Sequence, residues 1–222
     1  MGFRGEALPS IAIVFKFPPV NRKKEAAVGT RLEIAGGKVI NVNDAGGPEG
    51  TMVEVKNLFF KTPAKKKVLK TDNTEISHIS DMVSRAALGH PHIRFRLVSN
   101  KRLQKSFPKS DDLFQRAVNV LGQDVSTKLF SLKYRDDYLK IAGAVLHPSI
   151  TRSSSAKIFL FVNNRLIYDR GLVSSLFRGY KGRIMKGRFP LAALFVNIGY
   201  DQVDVNVHPA KREVKFFNYQ RV

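Results

Sequence analysis

The chain contains no cysteine among its 222 residues. A disulfide framework, a thiolate zinc site and a cysteine nucleophile are therefore excluded. No apolar run approaches the length of a membrane span, no secretory signal opens the sequence, and neither internal repeats nor low-complexity tracts occur. Acidic residues are few: 18 Asp and Glu stand against 38 Lys and Arg, for a formal charge of +20. These absences lead us to expect an intracellular, soluble protein.

What is present is a globular composition with a skewed charge. An apolar fraction of 43% rules out wholesale disorder, and the length allows one large domain or two modest ones. The positive excess is clustered. Residues 151–190 carry nine basic side chains (Arg152, Lys157, Arg165, Arg170, Arg178, Lys181, Arg183, Lys186 and Arg188) against Asp169 alone. Residues 51–70 carry six lysines against Glu54 alone. A solvated basic face that aids solubility is the bland explanation. Asymmetry on this scale makes nucleic acid the better one.

Periodicity gives an α+β order. Residues 30–35 and 51–57 alternate as half-buried strands around a Gly- and Asn-rich loop at 36–50. A helix follows from Asp72, with Glu75 three residues on and Ile76, Ile79, Val83 and Ala87 as its apolar stripe. Ile93, Phe95 and Leu97 alternate as a strand, and the polar stretch 104–110 reads as a break. A helix from Asp111–Asp112 to Gly122 opens the next part. Strands near 139–146, 157–163, 191–199 and 213–217 and a helix over 172–177 complete it. Domains are expected at 1–108 and 109–222.

Two segments carry chemistry. The loop Gly2, Phe3, Arg4, Gly5, Glu6, Ala7, Leu8 has two glycines three apart running into a helix-forming stretch, a pattern that wraps backbone N–H groups around an anion. Residues 203–211 alternate valines with Asp204 and Asn206, then Pro209 ends the strand and leaves Lys211 on a stiff loop, placed for a terminal phosphate. A third feature is weaker. Gly50 before Thr51 frees backbone next to a hydroxyl, although such a pair is usually a turn.

Taken in order, these segments resemble the MutL family of DNA mismatch-repair proteins, within the GHKL ATPases. GFRGEAL stands at residues 2–8, GTxVxVxNLFFxTPA at 50–64, FVNxR at 161–165 and VDVNVHPAK at 203–211. The resemblance implies a partial GHKL ATPase domain, a mixed sheet with helices, followed by a transducer domain like the second domain of a ribosomal small-subunit protein, incomplete at its C-terminus. It implies that Gly2 to Leu8 form a lid over ATP phosphates, that Thr51 sits by the nucleotide, and that Lys211 reaches the γ-phosphate. It implies that Arg170 contacts DNA, and we extend that surface to Arg165, Arg178, Lys181, Arg183, Lys186 and Arg188. ATP and Mg²⁺ would serve the intact parent; DNA, a MutS-type mismatch-recognition protein and a second copy would be its partners. A cytoplasmic, nucleoid-associated place in bacteria follows, or a nuclear one in a eukaryote.

Departures shape the expectation further. The family motif with the general-base Glu and Mg²⁺-binding Asn, and the Asp-x-Gly-x-Gly motif, both precede GFRGEAL and have no counterpart here. Asp44-Ala45-Gly46-Gly47-Pro48 imitates the second, but Pro48 stands where Gly is needed, and it reads as a turn. Asn164 replaces a family Gly, tolerable where left-handed backbone is required. Without base or metal ligand, the chain as an N-terminally truncated piece is expected neither to turn over ATP nor to bind a cofactor. His78, His90 and His92 read as exposed or structural rather than metal-ligating, and His208 as orienting the lysine loop. Two other readings compete: a type II topoisomerase ATPase-subunit fragment, which the HPAK segment opposes, and a non-enzymatic RNA-binding or ribosomal-type protein, which leaves GFRGEAL unexplained.

Overall fold

The computed structural model describes residues 16–17, 20–22, 24, 26–35, 37–57, 59, 62–204 and 214–222. The expected lid loop at 2–8 and the segment 205–213, with His208 and Lys211, lie outside the described residues. The chain divides into two compact units, Met1–Glu75 and Ile76–Val222.

The first unit carries a five-stranded sheet of β1 (Lys16–Phe17), β2 (Val20–Arg22), β3 (Gly29–Ala35), β4 (Lys38–Ala45) and β5 (Gly50–Met52). β3 pairs antiparallel with β4 on one edge and with β1 and β2 in succession on the other; β5 continues from β2. β4 occupies what the sequence reads as loop. Gly37, at φ +82°, turns the chain into it. Val39, Ile40 and Val42 are all more than half exposed, so no one-sided alternation marks the strand and backbone pairing carries it. β5 is shorter than the expected 51–57. After it, α1 (Pro63–Lys66) begins on a proline, whose missing N–H costs nothing in a first turn.

The second unit begins inside α2 (Asp72–Gly89). The helix buries Ser84, Ala87 and Leu88, whereas Ile79, expected on its apolar stripe, is 45% exposed. β6 (Phe95–Ser99) and β7 (Arg102–Phe107) form a hairpin turned at Asn100 and Lys101, both at positive φ. The expected break at 104–110 is therefore half strand. β7 is exposed until Phe107, which hid its period. α3 (Leu113–Leu121) is capped as its sequence predicts: Phe114 N–H donates to Asp112 Oδ1 at 2.8 Å, and Gly122 ends it at φ +128°.

A five-stranded sheet organises the rest. It uses β8 (Leu129–Arg135), β9 (Leu139–Leu146), β10 (Ile158–Val162), β11 (Arg165–Ile167) and β12 (Ala192–Ile198), in the order β11-β10-β12-β9-β8. Only β10 and β12 run parallel within it. A parallel pair needs a crossover, and α4 (Arg170–Gly179) lies in that connection. Successive residues face opposite sides. Phe159, Phe161, Ala193 and Phe195 join α2 and α3 in one core, with Phe161 and Phe195 stacked at 4.5 Å. Leu160, Val162, Val196 and Ile198 join Leu172 of α4 in the other. Ala87 and Leu88 of α2 belong to the first of these cores. Two short strands close the unit: β13 (Val203–Asp204) pairs antiparallel with β14 (Lys215–Phe216).

Candidate nucleic-acid interface

The cationic segment is held by three local devices. The first is the turn between β10 and β11. Asn163 and Asn164 both take left-handed backbone, at φ +47° and +64°, as expected for Asn164 in place of Gly. Asn163 Nδ2 donates to the Ile198 carbonyl at 2.9 Å, and Ile198 N–H donates to Asn163 Oδ1 at 3.0 Å. The turn is thus pinned to the end of β12 and sets half-buried Arg165 at the head of β11.

The second device is α4. Asp169 is its N-cap, accepting from Leu172 N–H at 2.8 Å, and Arg170 is its first residue, exposed to solvent. A cation at a helix N-terminus opposes the macrodipole, a cost of about 0.3–1 kcal/mol. Arg170 is thus not placed to stabilise the helix. Arg178, in the last turn, has the favourable placement and donates to Ser175 Oγ at 2.9 Å.

The third device folds the loop after α4 back onto residues 151–152. Lys181, Gly182 and Gly187 take positive φ. Arg188 Nε donates to Thr151 Oγ1 at 3.0 Å and its Nη2 to the Thr151 carbonyl at 3.1 Å. Arg152 and Phe189 exchange backbone hydrogen bonds at 2.8 and 2.9 Å. Arg152 and Arg188, 36 residues apart in sequence by their numbers, are thereby brought onto one edge. Tyr180 anchors the loop from beneath, donating to the Leu146 carbonyl at 2.7 Å. Nothing in the sequence marked Tyr180 for this.

Charge is uncompensated across this surface. Asp169 is the one acid in residues 151–190. Arg165 aside, none of the nine basic side chains there has an ion-pair partner among the described residues. Arg152, Arg170, Arg178, Lys181, Arg183, Lys186 and Arg188 are exposed. Lys157 lines a groove of about 920 Å³ in the same unit, together with Arg85, Lys105 and His78 of α2 and β7. Arg85 is the exception to the pattern, paired with Asp81 at 2.6 Å. Such a face repels itself and attracts polyanions.

The nucleotide-side residues are only partly visible. Thr51 lies in β5, exposed, opposite Asn21 of β2, and Gly50 before it sits at φ +118°, a conformation that favours glycine. Among the described residues no group of three or more His, Asp or Glu is arranged to hold a metal ion. His78, His90 and His92 are exposed. Among the described residues no helix is long and apolar enough to cross a membrane.

Burial pushes the Tyr180 hydroxyl up to about 12. A folded-state value above the unfolded one, near 10, stabilises fully below pH 10 and is lost as pH rises through the folded value. Unfolding midpoints of the wild type are expected to fall between about pH 10 and 12, and Tyr180→Phe to fall less steeply there. Parallel melts of the two proteins across that range check it.

Comparison with known proteins agrees with this fold. A family profile for the DNA mismatch repair protein, C-terminal domain, matches residues 117–222. The DNA mismatch repair protein MutL of Geotalea uraniireducens is 38% identical over 100% of this chain, which spans 37% of that protein. The MutL of Desulforamulus reducens is 42% identical over 97% of the chain, which spans 34% of it. The chain thus covers about a third of the length of these relatives. Among solved structures, the Aquifex aeolicus MutL ATPase domain complexed with ADP is 28% identical, with a TM-score of 0.71, and the match covers 87% of this chain and 72% of that one.

Proposed function

The chain belongs to the MutL family of DNA mismatch-repair proteins, and on that premise we propose that it supplies a DNA-contacting surface of an ATP-gated clamp. In the intact parent that clamp links mismatch recognition to strand removal. The observation that carries this reading is the run of exposed, unpaired cations from Arg170 through Arg178, Lys181, Arg183 and Lys186 to Arg188, with Arg152 beside it. Lys and Arg on phosphates fix a duplex without reading its bases, so binding is independent of sequence. Arg165, at the turn held to β12, completes the proposed surface.

The remaining roles follow from the family premise. Residues 2–8 would hold the ATP phosphates, Thr51 would lie near the nucleotide, and Lys211 would contact the γ-phosphate. The parent clamp would use ATP with Mg²⁺ and would work as a homodimer on DNA with a MutS-type partner, nucleoid-associated in bacteria. Family domains of 1–108 and 109–222 are proposed beside the compact units that divide at 75/76. Bound ATP would supply the energy that orders the clamp. The residues described contribute its DNA face. With no general-base or Mg²⁺ motif between Met1 and Val222, the polypeptide of this sequence alone is proposed not to hydrolyse ATP.

Competition binding tests the reading against the RNA-binding alternative. Unrelated duplex DNA sequences are expected to bind with equal affinity and to outcompete structured RNA. A clear preference for the RNA would contradict the proposal.

A further inference from the structure

The C-terminal residues meet the helix that carries Arg170. Tyr219 Oη donates to Asp169 Oδ1, the same oxygen that caps α4 by accepting from Leu172 N–H. The Tyr219 hydroxyl and ring edge fill the space that a Cβ on Gly171 would take, so the first turn of α4 is built against this side chain. Tyr219 is itself fixed. Its ring meets Phe216 edge to face at 5.5 Å, and Phe217 N–H donates to the Gln202 carbonyl at 3.1 Å. Two residues on, the Arg221 guanidinium lies 4.3 Å over the Tyr138 ring.

The chemistry at this junction concerns charge. Asp169 is the sole carboxylate in the cationic segment and adjoins Arg170 directly. An aspartate beside an arginine is its most available partner, and a pair between them would remove that cation from the DNA face. Among the described residues the Arg170 side chain nevertheless has no hydrogen-bond or ion-pair partner. Burial, then the hydrogen bond to Asp169 and its charge, push the Tyr219 hydroxyl up to about 12, which keeps it a protonated donor at neutral pH.

We propose that Tyr219 is a positioning residue for DNA binding: by donating to Asp169 it holds the carboxylate on the helix cap and leaves Arg170 free for a phosphate. The inference rests on the DNA-contact reading above. It goes beyond that reading in giving a residue far along the chain, with no basic group, a defined part in affinity. No motif spacing pointed to it.

A mutant set with the full chain and a short labelled duplex tests this. Tyr219→Phe is expected to weaken binding about five-fold, a change within the range of coupled neighbours. Asp169→Asn keeps a good cap while removing the charge, and it is expected to bind at least as tightly as the parent. In an Asp169→Asn background, and equally in an Arg170→Ala background, Tyr219→Phe is expected to change nothing. A merely structural tyrosine would lose the same factor in every background, and that outcome overturns the proposal, as would weaker binding by Asp169→Asn alone. Arg170→Glu separates the two levels. If it weakens binding while Tyr219→Phe does not, the inference fails and the DNA reading stands; if it has no effect, the DNA reading of this helix fails first.

Discussion

Gly143→Ala is expected to destabilise the second unit by about 4 kcal/mol or more, among the largest effects of a single methyl group. Gly143 lies in β9, paired to Leu194 of β12 and to Leu132 of β8, and is buried between them. Its φ is +155°, and an added Cβ falls on the carbonyl oxygen of Ala193, with the Leu194 Cα beside it. These are backbone atoms of a neighbouring strand inside the sheet, so no flexible side chain can swing aside. Relief requires β9 and β12 to part, breaking the ladder on which both cores are built. Urea unfolding followed by circular dichroism reads the effect. Gly179→Ala in the same unit is the control, because nothing lies within 4 Å of its added Cβ and its φ is not positive. That variant is expected to match or exceed the wild type by about 0.5 kcal/mol. Equal stability of the Gly143 and Gly179 variants would show that the strands are not packed as described.

The second large effect concerns function. Arg170→Glu is expected to lower DNA affinity about ten-fold at every sequence tested, and to make the salt dependence shallower by about one unit of slope. The substitution removes one phosphate contact and sets a carboxylate beside Asp169, so repulsion adds to the loss. A glutamate at the first position of α4 also suits the helix dipole, so the fold should not suffer. Loss of affinity with an unchanged melt is therefore the expected pair of results. Adding Arg178→Glu and Arg183→Glu is expected to abolish binding at ordinary salt. An Arg170→Glu protein that binds as the wild type does would remove that residue from the interface.

Much of this was legible in the sequence, and the exceptions have physical causes. The α+β class and the order of the second unit were readable because β9, β10 and β12 bury both faces or alternate cleanly, and because Asp112 and Gly122 bracket α3. β4 and β7 were not readable, since exposed strands held by backbone pairing leave no hydrophobic period. On α2, Ala87 is buried and Val83 packs against the core as the stripe predicts, but Ile79 is exposed, and Ser84, a polar residue that donates to the Ser80 carbonyl at 2.8 Å, is buried beside them. Arg116 was also missed. It is fully buried in α3 and donates to the carbonyls of Pro91 and Ile93, which no spacing rule anticipates. On the candidate surface the charge count singled out residues 151–190. It could not show that Arg188 returns to Thr151, nor that Tyr180 and Tyr219 fasten the two ends of α4, because those contacts join residues distant in sequence.

We propose that this protein holds DNA through phosphates on the surface of α4 and its following loop. The decisive measurement is the affinity for one duplex across a series of salt concentrations. If about six phosphates are contacted, log affinity falls with log salt at a slope near −5. An affinity indifferent to salt, or no binding even at low salt, would contradict it.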